Sequence, residues 1–137
     1  MIPLGPNTEW SLVEALVISW LNTTLTDPPI ITTETGEELG STVFTLIRVN
    51  QIPGGFSDGL NQEVDVDVQC FGPNRAAMWT LAQHVHTAMC LLPSRTTPYG
   101  VVDDLDPTPP GESPYGNPLL RRTVATYRLT TRVRAAA

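Results

Sequence analysis

Glu63-Val64-Asp65-Val66-Asp67-Val68-Gln69-Cys70-Phe71 alternates acidic or polar residues with small apolar ones. A period of two gives a strand one dry face and one wet face. Far along the chain, Thr126-Tyr127-Arg128-Leu129-Thr130-Thr131-Arg132-Val133-Arg134 repeats that period with the opposite charge on its wet side. Set side by side and antiparallel, the two strands form a charged ladder in which Glu63, Asp65 and Asp67 meet Arg128 and Arg132. Exposed ion pairs add little stability, so the ladder specifies register and pairing.

The remaining sequence is read outward from that pair. A chain of 137 residues fits a single domain, 1–137, and 41% hydrophobic residues suffice for a core. Thirteen prolines and ten glycines predict much loop, placed at 51–62 and 94–119. A net charge of −6 argues against a nucleic-acid-binding surface, which is normally basic. All eight basic residues are arginine, which reflects GC-rich coding rather than arginine-based recognition. No apolar run has the length of a membrane span, and the N-terminus lacks a signal-peptide layout. Asn22-Thr23-Thr24 matches a glycosylation sequon, which means nothing without secretion. Cys70 and Cys90 read as free structural thiols in a reducing cytosol.

A first helix is expected after Pro6, capped by Asn7 or Thr8, with Glu9 in its first turn and Trp10, Val13, Val17, Trp20 and Leu21 on its apolar stripe. Ser11, Ala15, Ser19 and Asn22 fall on the opposite side. A short strand at 30–34 and a longer one at about 42–50 follow. The segment Pro53-Gly54-Gly55-Phe56-Ser57-Asp58 then reads as an oversized hairpin tip. Asn74 caps a second helix that Pro93 ends, with Met78, Leu81, Val85, Ala88, Met89 and Leu92 facing the core. Trp79, Gln83, His86 and Cys90 make a separate stripe. After a possible strand at 100–103, the run Asp104 to Gly111 is too rich in proline for a regular element.

No constellation for catalysis emerges. His84 and His86, two apart on a helix, point away from each other and cannot share an ion. Asp103, Asp104 and Asp106 lack the ligand spacing of a calcium loop. Gly54-Gly55 has neither the length nor the lysine of a phosphate loop, and Ser41, Ser57 and Ser113 sit in no nucleophile elbow. A structural or binding role is expected, with no enzyme activity, cofactor or metal.

Several motifs occur in a characteristic order: Val13-Glu14-Ala15-Leu16-Val17 with Trp20-Leu21; Ile47-Arg48-Val49 before Pro53-Gly54-Gly55; Val64 to Val68 and Phe71-Gly72 before an alanine-rich helix ending Leu91-Leu92-Pro93; Gly100-Val101-Val102-Asp103; and the closing Arg121-Arg122-Thr123-Val124-Ala125-Thr126-Tyr127-Arg128. In that order they resemble the tail terminator, or tail completion, proteins of long-tailed bacteriophages, especially siphophages of high-GC actinobacteria. The resemblance spans nearly the whole chain. It implies a homo-oligomeric ring, usually a hexamer, on the head-proximal end of the tail tube. Such a ring stops tube polymerisation and joins tail to head, with the tube protein and a head-completion or connector protein as partners. It also implies assembly in the host cytoplasm, residence at the head–tail junction of the virion, and passage of DNA through the hole without specific binding.

The expected fold is therefore α+β: a mainly antiparallel four- to five-stranded sheet with two helices on one face, in the order α-β-β-β-α-β-β. The candidate subunit interface is Trp79, Gln83, His86 and Cys90, and the candidate partner-docking loop is Pro53 to Asp58. Two alternatives remain: another phage connector or head-completion protein, and a small-molecule-binding or hydrolytic α+β domain.

Overall fold

The computed structural model describes residues 11–33, 45–57, 62–114, 116 and 120–133. In chain order its elements are α1 (Leu12–Thr24), β1 (Ile30–Thr32), β2 (Leu46–Ser57), β3 (Gln62–Gly72), α2 (Arg75–Cys90), β4 (Thr96–Thr97), β5 (Gly100–Pro107), β6 (Gly111–Ser113) and β7 (Arg121–Val133). The fold is α+β, with two helices packed on a mixed, mainly antiparallel sheet. That sheet has seven strands, in the order β1-β2-β3-β7-β5-β4, with β6 also on β7. Among the described strands only β1 and β2 run parallel.

The acidic and basic strands are antiparallel neighbours, as expected, with Asp65 opposite Arg128 and Asp67 opposite Thr126. The alternation decides which side is buried. Val64, Val66 and Val68 pair with Leu129, Tyr127 and Ala125, and all six are buried. Ile47 and Val49 extend this face through β2, and Val102 extends it through β5. Val13, Leu16, Val17 and Leu21 of α1 and Ala82, Val85, Ala88 and Met89 of α2 join the same cluster. Both helices therefore cover one face. The Trp20 indole N–H donates to the Ala88 carbonyl at 2.8 Å and ties α1 to α2. A smaller cluster of Leu46, Phe71 and Leu120 lies on the opposite face, at the end of β3.

Several expectations need correction. The sheet has seven strands rather than four or five, because the proline-rich stretch is largely sheet. Residues 100–113 track β7 continuously: β5 pairs with Tyr127 to Val133, the Thr108 N–H bonds the Thr126 carbonyl at 2.9 Å, and β6 pairs with Arg122 to Val124. An edge strand bonds its neighbour on one side only, so prolines fit where a donor would face outward. The loop expected at 94–119 accordingly holds three strands.

The hairpin loop expected at 51–62 is also largely strand. β2 runs to Ser57 and re-pairs after a bulge, with Phe56 opposite Glu63 and Ser57 opposite Gln62. Gly55 makes the bulge possible: its φ is +77°, and a Cβ there would overlap the Glu63 carbonyl. Pro53 to Ser57 thus belong to a strand, while Asp58 lies outside the described residues.

α1 starts at Leu12, and its cap is Ser11 rather than Asn7 or Thr8. The Ser11 hydroxyl accepts from the Glu14 N–H, and Glu14 Oε1 accepts from the Ser11 N–H. Residues 7–10, Trp10 among them, lie outside the described residues. Ala15, expected on the polar side, is buried, because the helix lies deep enough to bury Ile18 as well. α2 begins as expected, with Asn74 Oδ1 accepting from the Ala77 N–H at 2.9 Å. Ala82 takes a core position that the expected stripe gave to Leu81, which is half-buried.

Candidate functional site: the open sheet face and the outer stripe of α2

The sheet face opposite the helices carries the charged ladder. Arg128 Nε and Nη2 donate to the two oxygens of Asp65 at 2.8 and 3.0 Å. Glu63 lies 3.6 Å from the same guanidinium. The Asp65 carboxyl is held below the usual carboxylate range by the Arg128 hydrogen bond, against a smaller opposing effect of burial. The same hydrogen bond raises the pKa of Arg128 further. Asp67 accepts from the Thr126 hydroxyl at 2.7 Å.

Arg132 does not pair with β3. It reaches the other way and holds Asp103 of β5, at 2.7 and 3.1 Å. A register shift between Val102 and Asp104 brings Asp103 within its reach. Asp104 Oδ1 accepts from the Leu105 N–H, and Asp106 stands opposite Arg128. This half of the face thus sets six carboxylates (Glu63, Asp65, Asp67, Asp103, Asp104 and Asp106) against two guanidiniums, a formal excess of four negative charges. At the other end of the sheet, on the face that carries the helices, Glu112 of β6 bridges Arg75 and Arg121, fastening the start of α2 to the sheet.

The flanks of this sheet half are protected. Beyond Arg48, β2 has no neighbour on its outer side among the described strands. There the Gln51 N–H donates to Glu14 Oε2 at 2.8 Å, and Pro53 has no N–H to offer. On the opposite flank β5 carries its bulge, Asp104, Asp106 and Pro107. Bulges, charges, prolines and side-chain caps are the devices that keep edges from pairing with other chains.

The stripe of α2 divides in two. Gln83 and Cys90 are exposed. Trp79 is half-buried and packs on the core, with the Arg75 guanidinium 5.8 Å from its ring centre. Its buried indole N–H makes no hydrogen bond among the described residues. His86 is half-buried, and its Nδ1 is 2.7 Å from the Tyr127 hydroxyl. Sequence periodicity places Tyr127 on the dry face but carries no signal of that bond. His84 points elsewhere, into an open groove of about 960 Å³ between α2 and the segment after α1. Leu25, Pro28, Ala77, Leu81 and Leu91 also line this groove. Among the described residues two large apolar side chains are about half exposed: Leu91, which lines the groove, and Ile30, which follows the groove residue Pro29 in sequence.

Among the described residues no group of three or more His, Cys, Asp or Glu side chains is arranged to hold a metal ion, and no helix is long and apolar enough to cross a membrane. A scan against protein-family models finds no match to this chain, and a search of curated proteins finds none either.

Proposed function

We propose that this chain is a structural virion protein of a long-tailed phage, a tail terminator. Its copies form a ring, a hexamer by the resemblance described above, that caps the head-proximal end of the tail tube, halts polymerisation and joins tail to head. The tube protein and a head-completion or connector protein are its partners, and it acts without catalysis or cofactor. The order of sequence motifs suggests this reading, and the open, carboxylate-rich sheet face is the structural observation that supports it. A surface with an excess of negative charge repels phosphates, which suits a wall past which DNA must slide. The protected flanks suit a subunit that must not polymerise by itself.

Electron microscopy of the purified protein, alone and mixed with tail tubes, tests the proposal. The expected result is a ring, or a monomer that becomes a ring on one tube end. A protein that neither forms rings at high concentration nor caps tubes refutes it.

The groove beside α2 favours a second reading, a domain that binds a small apolar ligand, since its volume is in the range of ligand sites. Retention of a copurifying ligand that protects the native protein against heat would support that reading over the first.

A further inference from the structure

We propose that two copies of this chain pair about a two-fold axis through the outer face of α2, with Leu91 of each copy seated in the groove of the other beside Ala77.

Composition supplies the first observation. Past Arg75, the exposed α2 residues that line the groove are Ala76, Ala77, Thr80, His84 and Thr87, with Leu91 at the C-cap. None of the six carries a formal charge. At about 100° per residue they fall on one stripe, roughly 22 Å long. A solvated helix face normally carries charge, and depletion of charged residues is the compositional mark of an interface centre. The chain as a whole carries −6, so two copies repel unless they meet on an uncharged surface. The open sheet face, with its excess of carboxylates, is unsuited to this, and the α2 stripe is suited.

Shape supplies the second observation. The stripe is small at one end and large at the other. Ala76 and Ala77 line the groove at the start of α2, and the half-exposed Leu91 stands at its end. Ala77 and Leu91 are two heptads apart, with His84 midway between them. Antiparallel pairing about an axis at His84 therefore sets Leu91 of each copy against Ala77 of the other, and Thr80 against Thr87. Each contact occurs twice, as an isologous interface requires. Leu25 and Pro28, on the opposite wall of the groove, add apolar surface to the leucine's seat. The antiparallel arrangement also brings opposite helix-dipole ends together. A partner of another kind needs no such self-complementary order.

A contact of one helix stripe and one groove wall is at the small end of the interface range, so the pair forms reversibly. It does not rest on the ring reading, and it fills the groove that the second reading gives to a small ligand.

Sedimentation equilibrium of the purified full chain, from about 1 µM to about 0.5 mM, tests the pairing. The expected result is a monomer–dimer equilibrium. Leu91→Arg and Ala77→Glu each weaken it at least about tenfold, because both place an unpaired charge in the contact. Both positions are exposed, so each variant keeps a urea midpoint close to the parent's. An equimolar mixture of the two variants forms a heterodimer, seen by native mass spectrometry. One end of that heterodimer joins the introduced carboxylate to the introduced guanidinium, and the other keeps Leu91 against Ala77. A parent that stays monomeric at about 0.5 mM overturns the proposal. So does self-association that both substitutions leave within about twofold, as a ring built on other surfaces would show, or a mixture in which no heterodimer forms.

Discussion

Arg128 and Asp65 face each other across β3 and β7, joined by two parallel hydrogen bonds of 2.8 and 3.0 Å. Each sits on the wet face of a strand whose other face is buried, so the pair marks the register of the sheet's two central strands. A slip by one residue would turn both charges into the core.

The first prediction follows from this pair. The folded-state pKa of Asp65 is depressed, with the Arg128 hydrogen bond as the main cause. Its contribution to stability is therefore present above the unfolded-state pKa, about 4, and is lost as pH falls through the lower folded value. Asp65→Asn is expected to lower the urea midpoint slightly at pH 7, by much less than truncation of a core side chain such as Met89. The difference should shrink toward zero as pH falls through that lowered folded value. Urea unfolding over an acid series starting at pH 7 checks this. A loss at pH 7 as large as that of Met89→Ala would show that the pair is part of a buried network.

Gly55 gives a prediction about the bulge in β2. With φ at +77° and the Glu63 carbonyl where a Cβ would go, Gly55→Ala should cost roughly 1–3 kcal/mol and disturb the pairing of Phe56 with Glu63. Denaturation and backbone amide exchange at 56–63 measure it. An alanine variant as stable as the parent would mean that the bulge readily rearranges.

Trp79, a candidate subunit-interface residue, packs in part on the core of its own subunit, beside Arg75. Trp79→Ala should destabilise the subunit by about 1–3 kcal/mol through lost apolar burial, whether or not a ring forms. Gln83→Ala, on the exposed part of the same stripe, should leave the subunit's stability within about 0.5 kcal/mol. Any loss of ring formation by Gln83→Ala therefore reports a contact between copies. Thermal unfolding and sedimentation of the two variants separate these effects.

What was legible in the sequence follows physical lines. The strands β3 and β7 could be read because one buried and one solvated face impose strict alternation. Asn74 could be read because an N-cap is local. The start of α1 was equally local, since Ser11 and Glu14 have the spacing of a capping box, but Asn7, Thr8 and Glu9 offered a competing start. β2 and β5 were cut short for one shared reason. Pro53-Gly54-Gly55 and the prolines from 107 to 110 read as breaks, yet an edge that bonds on one side, or a bulge built on glycine, accommodates them. The His86–Tyr127 bond joins residues 41 positions apart, a separation that no periodicity in either element encodes. The pairing of Arg132 with Asp103 instead of β3 depends on the bulge in β5 and was hidden with it.

The open face yields the last prediction, which bears directly on the proposed function. On the half of the face that carries the ladder, six carboxylates exceed two guanidiniums, and Glu63, Asp67 and Asp106 are not held in a two-bond pair with arginine. Replacing these three with lysine turns a formal charge of −4 on this half of the face into +2 while leaving the Arg128–Asp65 and Arg132–Asp103 pairs in place. The parent protein should not retain duplex DNA at about 150 mM salt, because its field repels phosphates. The Glu63→Lys, Asp67→Lys, Asp106→Lys variant should bind DNA without sequence preference. Its affinity should fall steeply with salt, with a log–log slope approaching about −3 if each lysine neutralises one phosphate. In virions, a terminator carrying these lysines should still cap tails but slow the passage of DNA. Filter binding across a salt series measures the first effect, and the rate of DNA release from assembled particles measures the second. If the lysine variant binds DNA in solution yet releases it from virions at the parental rate, the open face does not line the channel, and another surface of the ring must do so.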